Sequence, residues 1–290
     1  MISVNNKKKR ILITGSHGFI GKHLTSRLKQ SGHHIIEFDK SYGQDVCNID
    51  DLLSIKRVDF VIHLAGISYI PYSWTNPGNV FSANIDGMIN IMEFCRKKDC
   101  GHVIYPNTYV YGTPKYLPVD ENHPIDCKNP YCRSKFLAEE IQRGYCEDFG
   151  VSGTSFRLFN IYGPKQNTQF LIPKILHQLR SGVITLDNPT PKRDYLYITD
   201  LVDLFIKSIS SKHTGFQCFN VGFGKSHSVE ELVKLVISLS GKRVKIKYEN
   251  KIRKNEINNV IADITKVMKE FEWKPSISLE TGLSNLINTL

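Results

Sequence analysis

Along the first 165 residues, short apolar runs alternate with stretches in which apolar side chains recur every three or four positions. This is the pattern of parallel βαβ units covered on both faces. Strands are expected at 11–14, 34–39, 59–65, 102–106 and 154–160. Between the first two, Ile20, Leu24 and Leu28 stand at i, i+4 and i+8 ahead of Gly32, a residue suited to ending a helix. The same spacing at Phe81, Ile85, Met88, Ile89 and Met92 marks a second helix. A third is entered at Asn129-Pro130 and carries Tyr131, Lys135, Glu139 and Gln142 on one stripe. The pattern predicts an α/β fold with a doubly wound parallel sheet.

Beyond Gly163-Pro164 the elements shorten and prolines become more frequent, while a strand-like run at 216–221 suggests a late return to the main sheet. The expected organisation is a first domain over 1–165, with returns near 194–221, and a smaller, intertwined C-terminal lobe over 166–290. No internal repeat or low-complexity segment interrupts it.

Composition narrows the class. An apolar content of 41% over 290 residues is enough for a sizeable core. No run approaches the roughly 20 apolar residues of a spanning helix, and MISVNNKKKR has no apolar segment before Ile11, as a secretory signal would require. A cytoplasmic location without membrane association is expected. The formal charge of +10 is spread over scattered Lys and Arg, apart from Lys7 to Arg10 and Lys242 to Lys254, with no aromatic-studded basic stripe. That argues against nucleic acid and for a surface biased toward small anions. Seven cysteines, with no Cys-x-x-Cys pair and no histidine at zinc-ligand spacing, read as reduced and mostly buried thiols, with no metal site.

Candidate chemistry begins after the first strand, where Thr14-Gly15-Ser16-His17-Gly18-Phe19-Ile20-Gly21 opens a helix with glycines three apart. Gly15 and Gly18 allow positive φ or close backbone approach, a pyrophosphate rests on the helix N-terminus, and Gly21 lets the helix pack on the sheet. Asp39, 18 residues beyond Gly21 at the end of the second strand, is placed to accept hydrogen bonds from the adenosine ribose. A Rossmann fold that binds NAD is expected, because a 2′-phosphate would meet a like charge. NADP stays possible, since Lys40 stands beside Asp39 to offset part of the repulsion, and Asp39 could instead simply cap a turn.

Tyr131-Cys132-Arg133-Ser134-Lys135 sets a phenol and an ammonium one helical turn apart on the same face. A phenol titrates near pH 10 on its own. A neighbouring fixed cation, joined by a charged nicotinamide, would bring it toward proton transfer at neutral pH.

With these two features in place, TGSHGFIG at 14–21, HLAG at 63–66, VYG at 110–112, NPYCRSK at 129–135, FRLFNIYGP at 156–164, RDYLYITD at 193–200, FNVGFG at 219–224 and ADIT at 262–265 follow in order. Together they resemble the extended short-chain dehydrogenase/reductase family, in particular its nucleotide-sugar epimerases, dehydratases and reductases. The resemblance implies an NAD-dependent enzyme of carbohydrate biosynthesis acting on a nucleoside-diphosphate sugar, and a homodimer built partly on the Tyr131 helix. It implies Tyr131 and Lys135 as the catalytic pair. Around the cofactor it implies His17, Phe19 and Ile20 beside the glycines, Asp45 and Val46 at the adenine, and Leu64, Ala65 and Gly66 along the third strand's end, with Asn84 supporting that loop. For the substrate it implies Asn160, Arg193, Arg253 and Glu256 around the diphosphate and nucleotide ribose.

Two departures bear on the reaction. The family's Ser or Thr five residues before the Gly of VYG is Asn107 here, with Thr108 next, so either could supply the hydrogen bond to the reacting oxygen. The 4,6-dehydratases carry Asp and Glu at the following two positions, where this chain has Thr108 and Tyr109. A dehydratase is disfavoured, leaving a 4-epimerase or a 4-keto-6-deoxy sugar reductase. The segment Ser68-Tyr69-Ile70-Pro71-Tyr72-Ser73-Trp74 and the stretch 166–172 are similar to the GDP-4-keto-6-deoxymannose reductases, whereas Asp39 favours a retained NAD. The alternative from another class is a nucleotide-binding or regulatory protein that kept the fold and lost the chemistry.

Overall fold

The computed structural model describes residues 8–211, 214–252 and 255–289. The chain divides into two units and passes between them more than once. Unit 1 comprises Met1–Val110, Cys127–Arg157 and Ser208–Cys218, and unit 2 comprises Tyr111–Asp126, Leu158–Lys207 and Phe219–Leu290. Residues 111–126 and 158–165 thus group with the second unit, and 208–218 with the first.

In unit 1, β1 (Arg10–Thr14) leads to α1 (Phe19–Gln30), β2 (His34–Phe38), the short α2 (Ile49–Leu53) and β3 (Phe60–His63). Then come α3 (Ile70–Thr75), α4 (Pro77–Phe81), α5 (Gly87–Lys98), β4 (His102–Thr108), α6 (Pro130–Phe149) and β5 (Gly153–Leu158). In unit 2, β6 (Asn160–Tyr162), α7 (Leu171–Leu179), β7 (Val183–Leu186), β8 (Lys192–Tyr197) and α8 (Ile198–Ser210) follow. After them comes β9 (Phe216–Val221), which begins in unit 1 and ends in unit 2, and then, in unit 2, β10 (Ser226–Ser228), α9 (Val229–Ser240), β11 (Lys245–Tyr248), α10 (Thr265–Phe271) and α11 (Leu279–Ile287).

The main sheet has the order β2-β1-β3-β4-β5-β9. β1 pairs in parallel with β2 and β3, and β3 with β4. The chain leaves β1 toward one edge and returns to its other side, so the doubly wound switch lies between β1 and β3. Strands in this position are covered on both faces, which is why β3 and β5 are buried along their whole length rather than alternating. Leu12, Val61 and Val103 meet Met88, Ile91 and Met92 in the core of this unit.

Local differences from the sequence pattern have physical causes. β3 ends at His63 because Leu64–Gly66 turns out of the sheet along a cleft. The expected helix through Phe81 and Met92 holds a π turn at Ser82–Asp86, which buries Asn84 while Met88 and Met92 keep their core positions. The 3.6-residue period is almost unchanged by one wide turn, so the pattern could not reveal it. Gln142 and Glu139 on α6 are wholly buried and Lys135 nearly so. Among the described residues, no helix is long and apolar enough to cross a membrane.

Candidate active site

The C-terminal ends of β1, β2 and β3 surround a cleft of about 500 Å³ within unit 1. Gly15, His17, Gly18, Asp39, Asp45, Val46, Leu64, Ala65 and Gly66 all line it, whereas Phe19, Ile20, Gly21 and Asn84 are not part of its lining. Gly15 has φ +66°, and a Cβ there would stand 2.7 Å from the Ala65 nitrogen. A Cβ on Gly21 would stand 2.3 Å from the Gly15 carbonyl oxygen, so α1 can pack against the turn only without one. Gly18 differs: its φ is −69° and it begins the helix with no side-chain cap. The first amides of α1 therefore keep their capacity for an anion.

Asp39 performs the turn-capping role and more. Its carboxylate accepts the Ser41 amide at 3.0 Å, the Ser41 hydroxyl at 2.9 Å and the His17 amide at 3.0 Å. Burial works against its charge, but these donors outweigh burial and hold the group below the usual carboxylate range. It stays an anion at the cleft wall. The neighbouring Lys40 ammonium pairs with Asp45 at 3.0 Å. Asp45 in turn accepts the Cys47 amide, and Val46 presents its carbonyl to Asn90.

Asn84 joins the cleft loop to α6. Its side chain accepts the Ile67 amide at 2.9 Å and donates to the Ile67 carbonyl at 3.2 Å and to Ser134 Oγ at 2.8 Å. At the start of α6 the Asn129 side chain caps the Cys132 amide, and Pro130 occupies the first turn, where a missing N–H costs nothing.

From α6, the Tyr131 ring is partly exposed, but its hydroxyl is enclosed and hydrogen-bonded to the Thr108 side chain. Enclosure pushes the phenol up to about 12, with the Thr108 bond acting in the opposite direction. Lys135 donates from Nζ to the Pro106 carbonyl at 2.7 Å and lies 3.9 Å over the Tyr105 ring. Burial brings its ammonium down to about 7, with the charge of Glu139 pulling it up. Asn107 faces elsewhere. Its amide donates to Glu139 Oε2 at 2.6 Å, and its oxygen accepts the Thr108 backbone N–H at 2.7 Å. Of the two candidates left open by the sequence, Thr108 is the one in contact with Tyr131.

Sequence reasoning missed the floor of this site. Wholly buried Glu139 also accepts the Ser155 hydroxyl at 2.5 Å and pairs with Arg157 at 2.5 Å. Although burial opposes ionisation, Arg157, Ser155 and Asn107 keep the carboxyl low. The signal was an arginine inside the apolar run 154–160. His63, stacked on Tyr105 and 2.8 Å from Thr14 Oγ1, is held neutral, burial bringing it down to about 3 with Lys135 adding to the effect.

In unit 2, Arg193 donates to the Ile257 carbonyl at 2.7 Å, and Glu256 accepts from Asn188 at 2.8 Å, so the segment around 256 is drawn to β8. Asn160 on neighbouring β6 donates to the Asp194 carbonyl at 3.3 Å. Arg253 lies outside the described residues. Asp194 was not singled out by the sequence reading, yet its buried carboxylate gathers the amides of Phe223, Gly224 and Ala262. It therefore draws together the stretches RDYLYITD, FNVGFG and ADIT.

Residues 11–222 match the NAD dependent epimerase/dehydratase family. A provisionally named UDP-glucose 4-epimerase of Methanocaldococcus jannaschii is 31% identical, over 96% of this chain and 97% of its own. The structure of UDP-glucose 4-epimerase from Thermotoga maritima with UDP-glucose superposes with a TM-score of 0.92 at 26% identity, over 96% and 97% of the two chains. That of MoeE5 with UDP-glucose and NAD gives 0.88 at 25% identity, over 96% and 97%.

Proposed function

This chain belongs to the NAD dependent epimerase/dehydratase family, and from that membership we propose that it is a nucleotide-sugar 4-epimerase, inverting C4 of a UDP-hexose through transient oxidation. The observation that carries the reading is the bond between the Tyr131 hydroxyl and Thr108, at the sheet end that also carries the dinucleotide cleft.

The cleft suits NAD. Its volume, the uncapped start of α1 and an anionic Asp39 fit a pyrophosphate and a free ribose diol, and the Asp39 charge disfavours a 2′-phosphate. NAD, held by Gly15, Gly18 and Asp39 of the cleft, would supply a hydride acceptor and a positive charge. With the charge of bound NAD lowering the phenol from about 12, Tyr131 as phenolate would take the proton of the sugar C4 hydroxyl as that carbon is oxidised. Thr108 holds the phenol and the developing oxyanion by hydrogen bonding, while Lys135, fixed by the Pro106 carbonyl, supplies the adjacent cation. Tyr131 returns the proton when hydride comes back to the opposite face of the 4-keto sugar, which inverts C4. Asn160, Arg193 and Glu256 of unit 2, with Arg253, hold the nucleoside diphosphate. A homodimer formed partly by α6 belongs to the same reading.

Incubation with UDP-, GDP- and dTDP-hexoses, followed by chromatography of the sugars, tests it. A C4 epimer from a UDP-hexose without added cofactor supports the proposal. Net consumption of NADPH with a 4-keto-6-deoxy sugar would make the chain a reductase, and bound NAD without turnover of any sugar would make it a binding protein.

A further inference from the structure

We propose that Cys127 and Cys132 form a reversible oxidation site at the entrance of α6, a dithiol that peroxides convert to a disulfide. The two sulfur atoms stand 2.8 Å apart. A disulfide bond measures about 2.05 Å, so the pair is a dithiol that has to close by about 0.8 Å to become one. Both sulfurs also face the same stretch of chain, Cys127 Sγ lying 3.8 Å from the Val110 carbonyl oxygen and Cys132 Sγ 3.6 Å from that of Tyr109. The residues are five apart in sequence, Cys127 in the loop before α6 and Cys132 in its first turn.

Two influences oppose each other at this pair: each thiol donates to a backbone carbonyl, which holds the S–H form, whereas the helix start and a nearby guanidinium favour the thiolate. Cys132 sits in the first turn of a 20-residue helix, whose N-terminus favours negative charge. Arg133 donates to the Cys127 carbonyl at 3.2 Å, bringing a fixed cation to the loop. Cys127 is half-buried and Cys132 only 5% exposed, so peroxide reaches Cys127 first. The Cys127 thiolate attacks one peroxide oxygen, the O–O bond breaks, and a sulfenic acid and hydroxide result. The Cys132 thiolate then attacks the Cys127 sulfur and displaces the second oxygen as hydroxide. With the two thiol protons counted, one peroxide is reduced to two waters and two thiols are oxidised to one disulfide.

The bridge would join the loop to the residue after Tyr131, beside the strand exit that carries Thr108. Oxidation therefore displaces the Tyr131–Thr108 bond and slows turnover. The oxidation chemistry is independent of the sugar turned over. Only its effect on rate rests on the epimerase reading.

The test treats the full chain with excess hydrogen peroxide, alkylates it under denaturing conditions and maps its peptides by mass. A link between 127 and 132 that lacks two hydrogens, disappears with dithiothreitol and is absent from Cys127→Ser and Cys132→Ser supports the proposal. Alkylation of both residues after peroxide, or their pairing with other cysteines, overturns it. Turnover of the wild type should fall on oxidation and recover on reduction, while both serine variants keep their rate. An equal fall in wild type and variants overturns the effect on turnover. Absence of any turnover before oxidation would sink the epimerase reading and leave the peptide map to decide the site.

Discussion

Glu139 accepts the side-chain amide of Asn107 at 2.6 Å beneath the strand end that carries Thr108. The same carboxylate holds Ser155 and Arg157, so both of its oxygens are engaged in a closed polar cluster. Glu139→Ala leaves the Arg157 guanidinium buried without its countercharge. We expect a loss of about 3–5 kcal/mol, the scale for breaking a buried ion pair, in urea unfolding of the cofactor-free protein. A loss under about 1 kcal/mol, as for an exposed pair, would contradict this account.

Because Asn107 is committed to that cluster, the two neighbours should separate by experiment. Thr108→Ala should lower kcat about 10²- to 10³-fold, as for loss of one donor to a developing oxyanion, with Thr108→Ser retaining most of the rate. Asn107→Ala should act mainly on stability, by about 1.5–3 kcal/mol for a bond to a charged group. If Asn107→Ala costs more rate than Thr108→Ala in steady-state assays, the roles are reversed.

Lys135 gives a pH signature. Folded, its ammonium titrates at about 7 because of burial, whereas in the unfolded chain it titrates near 10.4. Between those values the unfolded chain retains a proton that the folded chain has released, so this group makes stability rise with pH through the window. The full cost of the buried cation is present below about pH 7. Lys135→Met removes the effect. The melting temperature of the cofactor-free wild type relative to the variant should climb between about pH 7 and 10, and a flat difference would refute the assignment.

The cleft was legible in advance because its determinants are local: a strand, glycines at fixed offsets, and an acid at the next strand's end. The floor of the site was not. Spacing placed Glu139 on the Lys135 stripe, but nothing along one helix says which strand faces it, and Arg157 lies 18 residues further on. The choice between Asn107 and Thr108 stayed open for a related reason. Successive strand residues point to opposite faces, so the register at the end of β4 decides which one meets Tyr131. Arg193 reaches the Ile257 carbonyl and Glu256 accepts the Asn188 side-chain amide, long-range bonds that no local pattern encodes.

Asp39→Ala should weaken NAD more than NADP. On the proposed reading the variant loses the carboxylate offered to the ribose hydroxyls and, with it, the charge that opposes a 2′-phosphate. The shift in melting temperature with each cofactor reads this directly, since a ligand stabilises in proportion to the logarithm of its concentration over Kd. A wild type stabilised only by NADP would reverse the assignment.

Tyr131→Phe is the sharpest test of the chemistry. Phenylalanine keeps the ring on the first turn of α6 and leaves the Asn129 cap, the Lys135–Pro106 bond and the cleft residues unchanged. It removes only the hydroxyl that meets Thr108. Cofactor-induced stabilisation should therefore persist, because it arises from the cleft. Turnover should fall by about 10²- to 10⁴-fold, the usual contribution of a positioned acid–base group, and addition of Thr108→Ala should lower it much less than Thr108→Ala does alone, since the two hydroxyls act as one unit. Loss of cofactor binding together with turnover would mean that the ring position had not been preserved, and Lys135→Met would then serve as the second probe of the pair. Full activity of folded, cofactor-bound Tyr131→Phe on the true substrate would remove Tyr131 from the mechanism.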